Sequence, residues 1–357
     1  MKNIYFTCGP SQLYPTVKSH LKTALDNNLG SISHRGQQFQ NIYKSAQTNL
    51  RKLLSIPLSH KIFFLSSSLE SMERIIENCV EKQSFHFVNG AFSHKFYQFA
   101  KLLKKSPVKH EVDWGEGYLL NKIKIPKRTE LICITQNETS TGASIPLQDI
   151  NQIKQNHNVL VAVDIVSSAP YVKFDFSKID LVFFSVQKGF GLPAGLSILI
   201  VSDRAIKKSN YLEKKGVNMG SYHSFSSLLE KGRIFQTPET PNVLSIYLLN
   251  QVCKDMLNKG ITTIRKAIDE NSKLVFDFFD QHPKYKPFVN NPVFRSRTTI
   301  EINVRGEANK ILKKLKSSGI VVSSGYGKFK DNHIRIANFP AHSKDNFHKL
   351  INVIGYN

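Results

Sequence analysis

Two apolar patterns alternate along the first two-thirds of the chain. Short runs dense in apolar residues at 61–65, 85–88, 131–135, 159–164, 181–186 and 196–201 read as strands. The run at 159–164 is unbroken and rich in β-branched residues, as expected of a strand covered on both faces; a strand with one wet face would alternate. Between these runs, segments 70–80, 94–103 and 147–155 carry apolar residues at helical spacing. Strand–helix alternation predicts an α/β fold with a mostly parallel sheet and helices on both sides. Pro238 and Pro241 break the pattern. Beyond them the spacing predicts helices over 242–258 and 262–279. A strand at 298–304, a helix at 307–316, strands at 320–323 and 333–337 and a last helix then complete a smaller α+β unit. No internal repeat or low-complexity linker interrupts this order.

Two of the runs end in chemistry. The run 159–164 closes on a single carboxylate, Asp164, and the run 181–186 delivers Lys188 into a glycine-led loop. Ligands of open α/β sheets bind beyond the carboxyl ends of the strands, so both side chains can lie at that edge. Burial pushes a lysine toward its neutral amine, which can form a Schiff base with an aldehyde. An acid facing a pyridine nitrogen keeps that ring electron-poor, the arrangement used with pyridoxal phosphate. Taken singly, Lys188 also reads as a strand-end side chain reaching into solvent, and Asp164 as a cap or turn residue. The pair, each after a hydrophobic strand and 24 positions apart, narrows the choice.

Several further stretches carry a resemblance. They are Phe6-Thr7-Cys8-Gly9-Pro10, Ile32-Ser33-His34-Arg35-Gly36, Gln136-Asn137-Glu138-Thr139-Ser140-Thr141-Gly142, Asp164 with Ser167 and Ser168, Gln187-Lys188-Gly189-Phe190-Gly191, and Phe235-Gln236-Thr237-Pro238. In this order the chain resembles the class V, fold-type-I pyridoxal-phosphate aminotransferases, phosphoserine aminotransferases most of all. The resemblance implies a large domain over 13–240 built on a seven-stranded sheet, and a small α+β domain formed by 1–12 with 241–357. It implies pyridoxal 5'-phosphate as cofactor, Lys188 as its attachment point, Asp164 on the ring nitrogen and Thr139 on the phenolic oxygen. Gln187, Ser67 and Ser68 are implied at the phosphate, where Ser66-Ser67-Ser68 replaces the family's glycine-rich loop. Serine donors at a helix start can serve a phosphate, although a plain N-cap accounts for any one of them equally well. Phe92 stands where the family has a stacking tryptophan, and Ser167 is counted with the cofactor shell. Gln236 and Thr237 are implied at the phosphate of the neighbouring subunit, which requires a homodimer with shared sites.

For substrate, the resemblance assigns the α-carboxylate to Arg335, whose fork pairs two oxygens at once. A cross-strand surface charge is the alternative, and the flanking isoleucines argue for an inward role. His34 and Arg35 match a pair that reaches a distal anion from the neighbouring subunit, and Cys8 takes the place of a serine. The family's second basic pair is absent; its positions fall within 325–330, where Lys328 or Lys330 supplies charge without a fork. The expected reaction passes an amino group from glutamate to 3-phosphohydroxypyruvate, with amino and keto acids as partners. A serine or alanine transaminase acting on glyoxylate or pyruvate is the alternative within class V. A desulfurase would need a nucleophilic cysteine in a mobile loop; the last cysteine, Cys253, falls in a predicted helix, and Gln187 rather than a histidine precedes Lys188. A non-catalytic basic binding protein on the same scaffold is a further alternative, against which Lys188, Asp164 and Thr139 together argue.

Composition adds bounds. The 357 residues suffice for two domains and a large core, and 41% hydrophobic with 21% charged residues suits a soluble globular protein. No run approaches the length of a membrane helix, and the N-terminus lacks a signal-peptide core. Cys8, Cys79, Cys133 and Cys253 are scattered, so we expect free thiols, no metal site and a cytoplasmic location. The formal net charge of +22 is spread along the chain without a nucleic-acid recognition motif. A solvated basic surface that steers anionic substrates therefore accounts for it better than nucleic-acid binding.

Overall fold

The computed structural model describes residues 3–355 except residue 157. Its large sheet has seven strands in the order His60–Leu65, Ser197–Ser202, Leu181–Ser185, Leu160–Asp164, Leu131–Thr135, Ser84–Val88 and Val108–Glu111. Neighbours are parallel except around Ser197–Ser202, which runs against both of its partners. The central strands are buried at every position because both faces are covered. Alternate residues serve opposite faces. Ile132, Ile134, Val161, Val163, Val182 and Phe184 meet the helices Gln37–Leu54 and Val243–Lys259. Leu131, Cys133, Leu160, Ala162, Leu181 and Phe183 meet the helices Ser68–Cys79, Ala91–Leu102 and Asp203–Lys214.

The expected elements recur with boundaries shifted by at most three residues. The helix expected from residue 70 begins at Ser68, because the Ser67 hydroxyl accepts the Glu70 N–H at 3.2 Å and caps it. The apolar spacing that predicts 94–103 belongs to Ala91–Leu102, whose first turn is capped from a distant part of the chain.

A second sheet orders Ile4–Phe6, Ile320–Ser324, His333–Ala337, Thr299–Asn303 and Lys286–Pro287. The N-terminal strand runs parallel to Ile320–Ser324, with Ile4 opposite Ile320, so the first residues join the C-terminal part of the chain. One face of this sheet is covered by Ala308–Ser317, which buries Ala308, Ile311 and Leu315 at helical spacing, together with Lys344–Ile354. The long helix Ile261–Gln281 spans both cores: Ile264 and Ile268 pack with the large sheet, Val275 and Phe279 with the small one. Val243–Lys259 also lies in the large-sheet core, so apolar packing runs across the division expected at 240/241. All four cysteines are free and buried. Among the described residues no helix is long and apolar enough to cross a membrane.

Candidate active site

The carboxyl ends of four strands meet at one edge of the large sheet: Leu65, Thr135, Asp164 and Ser185. Beyond them lies a cavity of about 340 Å³ whose charged lining residues are Asp164, Lys188 and Arg335. A larger cleft of about 1090 Å³ runs along the N-terminal segment and the helix Val17–Asp26. It has no buried charged side chain, so the smaller cavity is where chemistry is concentrated.

Lys188 is 6% exposed. Its Nζ donates to Thr139 Oγ1 at 2.9 Å and lies 5.3 Å from the centre of the Phe92 ring. The N-terminal segment is laid directly over it. Ser11 N–H donates to the Gln187 carbonyl and Tyr14 N–H to that of Gly191. Gly9 sits at φ +134°, and a Cβ there would fall 2.7 Å from Lys188 Cε, so glycine lets this segment pass. Burial lowers the pKa of the ammonium, opposed by the charges of Asp164 and Cys8. Asp164 is 3% exposed and accepts the Val166 N–H at 2.8 Å. Burial raises its pKa, which the Val166 bond and Lys188 only partly offset. An amine biased toward neutrality and a carboxyl biased toward protonation therefore share one cavity.

The cavity's other end is a helix start. Ser67 and Ser68 line it, and Ser68 N–H donates to Ser185 Oγ at 3.1 Å. Gln187 lines it as well and keeps its carboxamide oxygen buried without a partner among the described residues. Opposite stands Arg335. Ile334 and Ile336 on its strand are fully buried in the small-sheet core, which turns Arg335 the other way, into the cavity. Its Nε donates to Ser324 O and its Nη1 to Thr139 O, both at 3.0 Å, leaving Nη2 without a hydrogen bond among the described residues. The Cys8 N–H donates to Ser323 Oγ, and burial pushes the thiol pKa up.

Other expected residues fall elsewhere. Ser167 is fully buried outside the cavity, where it accepts from Asn137 Nδ2 and donates to Asn137 O. It braces the loop after Asp164 and does not touch the pocket. Arg35 spends its guanidinium on Gln236 Oε1, Thr237 O and Pro238 O of its own chain. Arg35, Gln236 and Thr237 thus form one cluster that does not line this cavity. Neither does His34, which is half-buried. Lys328 lies 5.8 Å from the Trp114 ring and 5.2 Å from the Phe329 ring, also outside the lining.

Sequence reasoning missed three contributors. Tyr326 faces Phe92 at 5.6 Å and the Arg335 guanidinium at 5.3 Å, a placement that its segment alone does not signal. Ser185, at a strand end two residues before Gln187, was within reach of the motif. Glu138 lies in the 136–142 motif, where the sequence assigns it no role. It is fully buried and accepts from Phe92 N, Ser93 N and Ser93 Oγ on one side, and from Ser140 N and Oγ on the other. It caps the helix Ala91–Leu102 and so sets Phe92 beside the neighbouring Thr139. A Cβ at Gly90 would lie 2.4 Å from Glu138 Cγ, which explains the glycine there.

Comparison with known proteins agrees with this geometry. The Aminotransferase class-V family model matches residues 4–328. The phosphoserine aminotransferase of Rhodococcus opacus (strain B4) is 26% identical over 360 residues, covering 98% of this chain and 94% of that protein. Its namesake from Corynebacterium glutamicum (strain R) is 26% identical over 359 residues, covering 98% and 93%. Among solved structures, a phosphoserine aminotransferase from Cytophaga hutchinsonii superposes with a TM-score of 0.97 at 48% identity, covering 99% of this chain and 98% of that one. An alanine–glyoxylate aminotransferase from Nostoc sp. shares the fold, with a TM-score of 0.80 at 20% identity over 99% and 94% of the two chains. With its family model spanning nearly the whole length and a paired lysine and aspartate at the sheet edge, the chain belongs to the class-V aminotransferases.

Proposed function

We propose that this chain is a pyridoxal 5'-phosphate transaminase that transfers the amino group of glutamate to 3-phosphohydroxypyruvate, forming phosphoserine and 2-oxoglutarate. One observation carries the reading: Lys188 and Asp164, both buried, share a cavity with a helix N-terminus at one end and Arg335 at the other. The residues present fit the cofactor. Ser67, Ser68 and the Gln187 side-chain N–H₂ would form a cradle for its phosphate, Asp164 would meet the ring nitrogen, and Lys188 would take the aldehyde. Bound there, pyridoxal phosphate supplies the electron sink that lets an amino acid lose its Cα proton.

The chain's own groups do the rest. Asp164 would keep a proton on the ring nitrogen; the positive ring would draw its raised pKa back down. Lys188, biased toward the neutral amine, would accept the proton from the substrate Cα and hand it on across the amino nitrogen. Thr139 holds Nζ at 2.9 Å for that task. Phe92 offers one face of its ring to the cofactor space. Arg335 Nη2 is available to a substrate α-carboxylate, on a guanidinium already oriented by Ser324 O and Thr139 O.

We extend the proposal to a cytoplasmic homodimer, in which Arg35, Gln236 and Thr237 serve the neighbouring site. Their clustering away from this chain's own cavity supports that role. The relatives named phosphoserine aminotransferase support the substrate. One observation favours a second reading, an alanine- or serine-type transaminase using pyruvate or glyoxylate: among the described residues no cation beyond Lys188 and Arg335 lines the cavity. The test is a panel of keto acids offered to enzyme first loaded with amine from glutamate. Phosphohydroxypyruvate should show the highest kcat/KM; a preference for pyruvate or glyoxylate overturns the substrate, and no loading by glutamate overturns the donor.

A further inference from the structure

Behind the phosphate cradle lies a charged assembly that the reaction above does not use. Glu70 stands in the first turn of the helix Ser68–Cys79. One carboxylate oxygen accepts both the Ser66 N–H, at 2.9 Å, and the Ser66 hydroxyl, at 2.6 Å. The other contacts His223 Nδ1. His223 Nε2 lies 2.8 Å from Glu239 Oε2, and the imidazole is 3% exposed. Glu239 follows Gln236, Thr237 and Pro238 directly, and its carbonyl accepts the Thr237 hydroxyl at 2.8 Å. A single ring thus bolts the loop bearing Gln236 and Thr237 to the helix whose start lines the cavity.

Electrostatics gives the bolt a purpose. A helix N-terminus favours an anion, but a carboxylate in the first turn works against a second anion arriving there. Glu70 is such a carboxylate, two residues from Ser68. An imidazolium in contact with it offsets that charge where a phosphate would dock.

We propose that His223 is a positioning residue of the phosphate cradle, neutralising Glu70 and fastening the Ser68–Cys79 helix start to the Gln236–Glu239 loop. The inference rests on the cofactor reading given above. Burial alone would lower the His223 pKa, but the bonds and charges of Glu239 and Glu70 outweigh it and raise it to about 9. Burial likewise lifts Glu70, and the bonds from His223 and Ser66 overcome it, taking the carboxyl to about 2. Among the charged and titratable neighbours, Arg35 is held by Gln236 Oε1 and by the Thr237 and Pro238 carbonyls. Arg74 on the same helix pairs with Glu73 and Glu77, the Tyr222 ring packs 4.0 Å from His223, and the buried Tyr43 phenol feels Glu239. At neutral pH the imidazolium of His223 therefore stands against Glu70, and above pH 9 that cation is lost.

The test uses 4'-deoxypyridoxine 5'-phosphate, which has the phosphate but no aldehyde. Its affinity is measured by calorimetry on Lys188→Ala protein, so that titration of the lysine does not contribute. Its phosphate stays doubly ionised above pH 8; its ring nitrogen titrates alike in every variant, so the part due to His223 is read as the difference between the parent and His223→Gln. We expect affinity to fall several-fold between pH 8 and pH 10. Adding His223→Gln should weaken binding at pH 8 and make the fall toward pH 10 shallower than in the parent. Adding Glu70→Gln to that variant should restore much of the affinity, because the charge that needed offsetting is gone; a role in shape alone predicts no such rescue. Melting temperatures verify that each variant is folded. Equal affinity with and without His223→Gln overturns this proposal alone. Absence of binding by the parent protein overturns the cofactor reading and this proposal with it.

Discussion

The floor of the cavity and its rim are built differently. The floor, Lys188, Asp164, Thr139 and Ser68, hangs on the large sheet and its first loops, and each of these side chains is buried. Glu138 and Gly9 hold it in place through contacts that leave no room for a methyl group. The rim, Arg335 with Tyr326, comes from the small sheet and the turn beside it. Arg335 and Tyr326 are half-buried, and the remaining cations of the region, Arg35 and Lys328, are occupied elsewhere. In the function proposed above, that difference would separate reaction from recognition: the floor would serve proton transfer at an amino-acid Cα, and the rim would choose which amino acid arrives.

Substitutions can break that comparison, beginning with the largest effect. Lys188→Ala should lower kcat by about 10³-fold or more and abolish the adduct that borohydride reduces; a surviving adduct would place the attachment elsewhere. Asp164→Asn preserves shape and should lower kcat by about 10²-fold with the melting temperature nearly unchanged, since a buried carboxylate is not itself stabilising. Arg335→Lys removes the fork and should lower kcat/KM by about 10- to 100-fold for every substrate alike, mainly through KM. An effect confined to phosphorylated substrates would move Arg335 from the α-carboxylate to the distal group.

Smaller effects sharpen the boundary. His223 has a folded pKa of about 9, above the ordinary 6.5, so its contribution to stability is complete below pH 6.5 and is lost as pH rises through 9. Chemical denaturation at pH 6.5 and pH 9.5 should show the loss, on the order of 2–3 kcal/mol, in the parent and not in His223→Gln. The Tyr326 hydroxyl has no hydrogen bond among the described residues, so Tyr326→Phe should change discrimination between keto acids by about three- to tenfold while sparing kcat with the preferred one. Lys328→Ala should alter kcat/KM by less than about twofold, because its ammonium rests on aromatic rings at an exposed site. A large loss there would return Lys328 to substrate binding.

How far the chain could be read follows the same division. The buried strands were legible because a run covered on both faces is written in contiguous apolar residues, as at Leu160–Asp164 and Leu181–Ser185. Lys188 and Asp164 were legible because each closes such a run. Ser67 was legible as a cap, and the structure gives it both the cap and the cavity lining. Arg335 was legible from its isoleucine neighbours, whose burial turns it around. Ser167 misled, because a hydroxyl beside Asp164 serves equally to tie a loop to Asn137. Arg35 shares the motif of His34, yet its partners lie about two hundred positions away in the chain.

By itself, the sequence determined the layered α/β architecture and the amine and acid at its edge, since both follow from local hydrophobic runs and from what ends them. Tertiary structure alone decided that Glu138 caps the helix of Phe92, that Tyr326 stands where further cations were sought, and that His223 joins Glu70 to Glu239. Those arrangements depend on groups far apart in the chain meeting where water is excluded. There an unpaired charge is costly and a partner is chosen by proximity in space, which no local pattern of residues records.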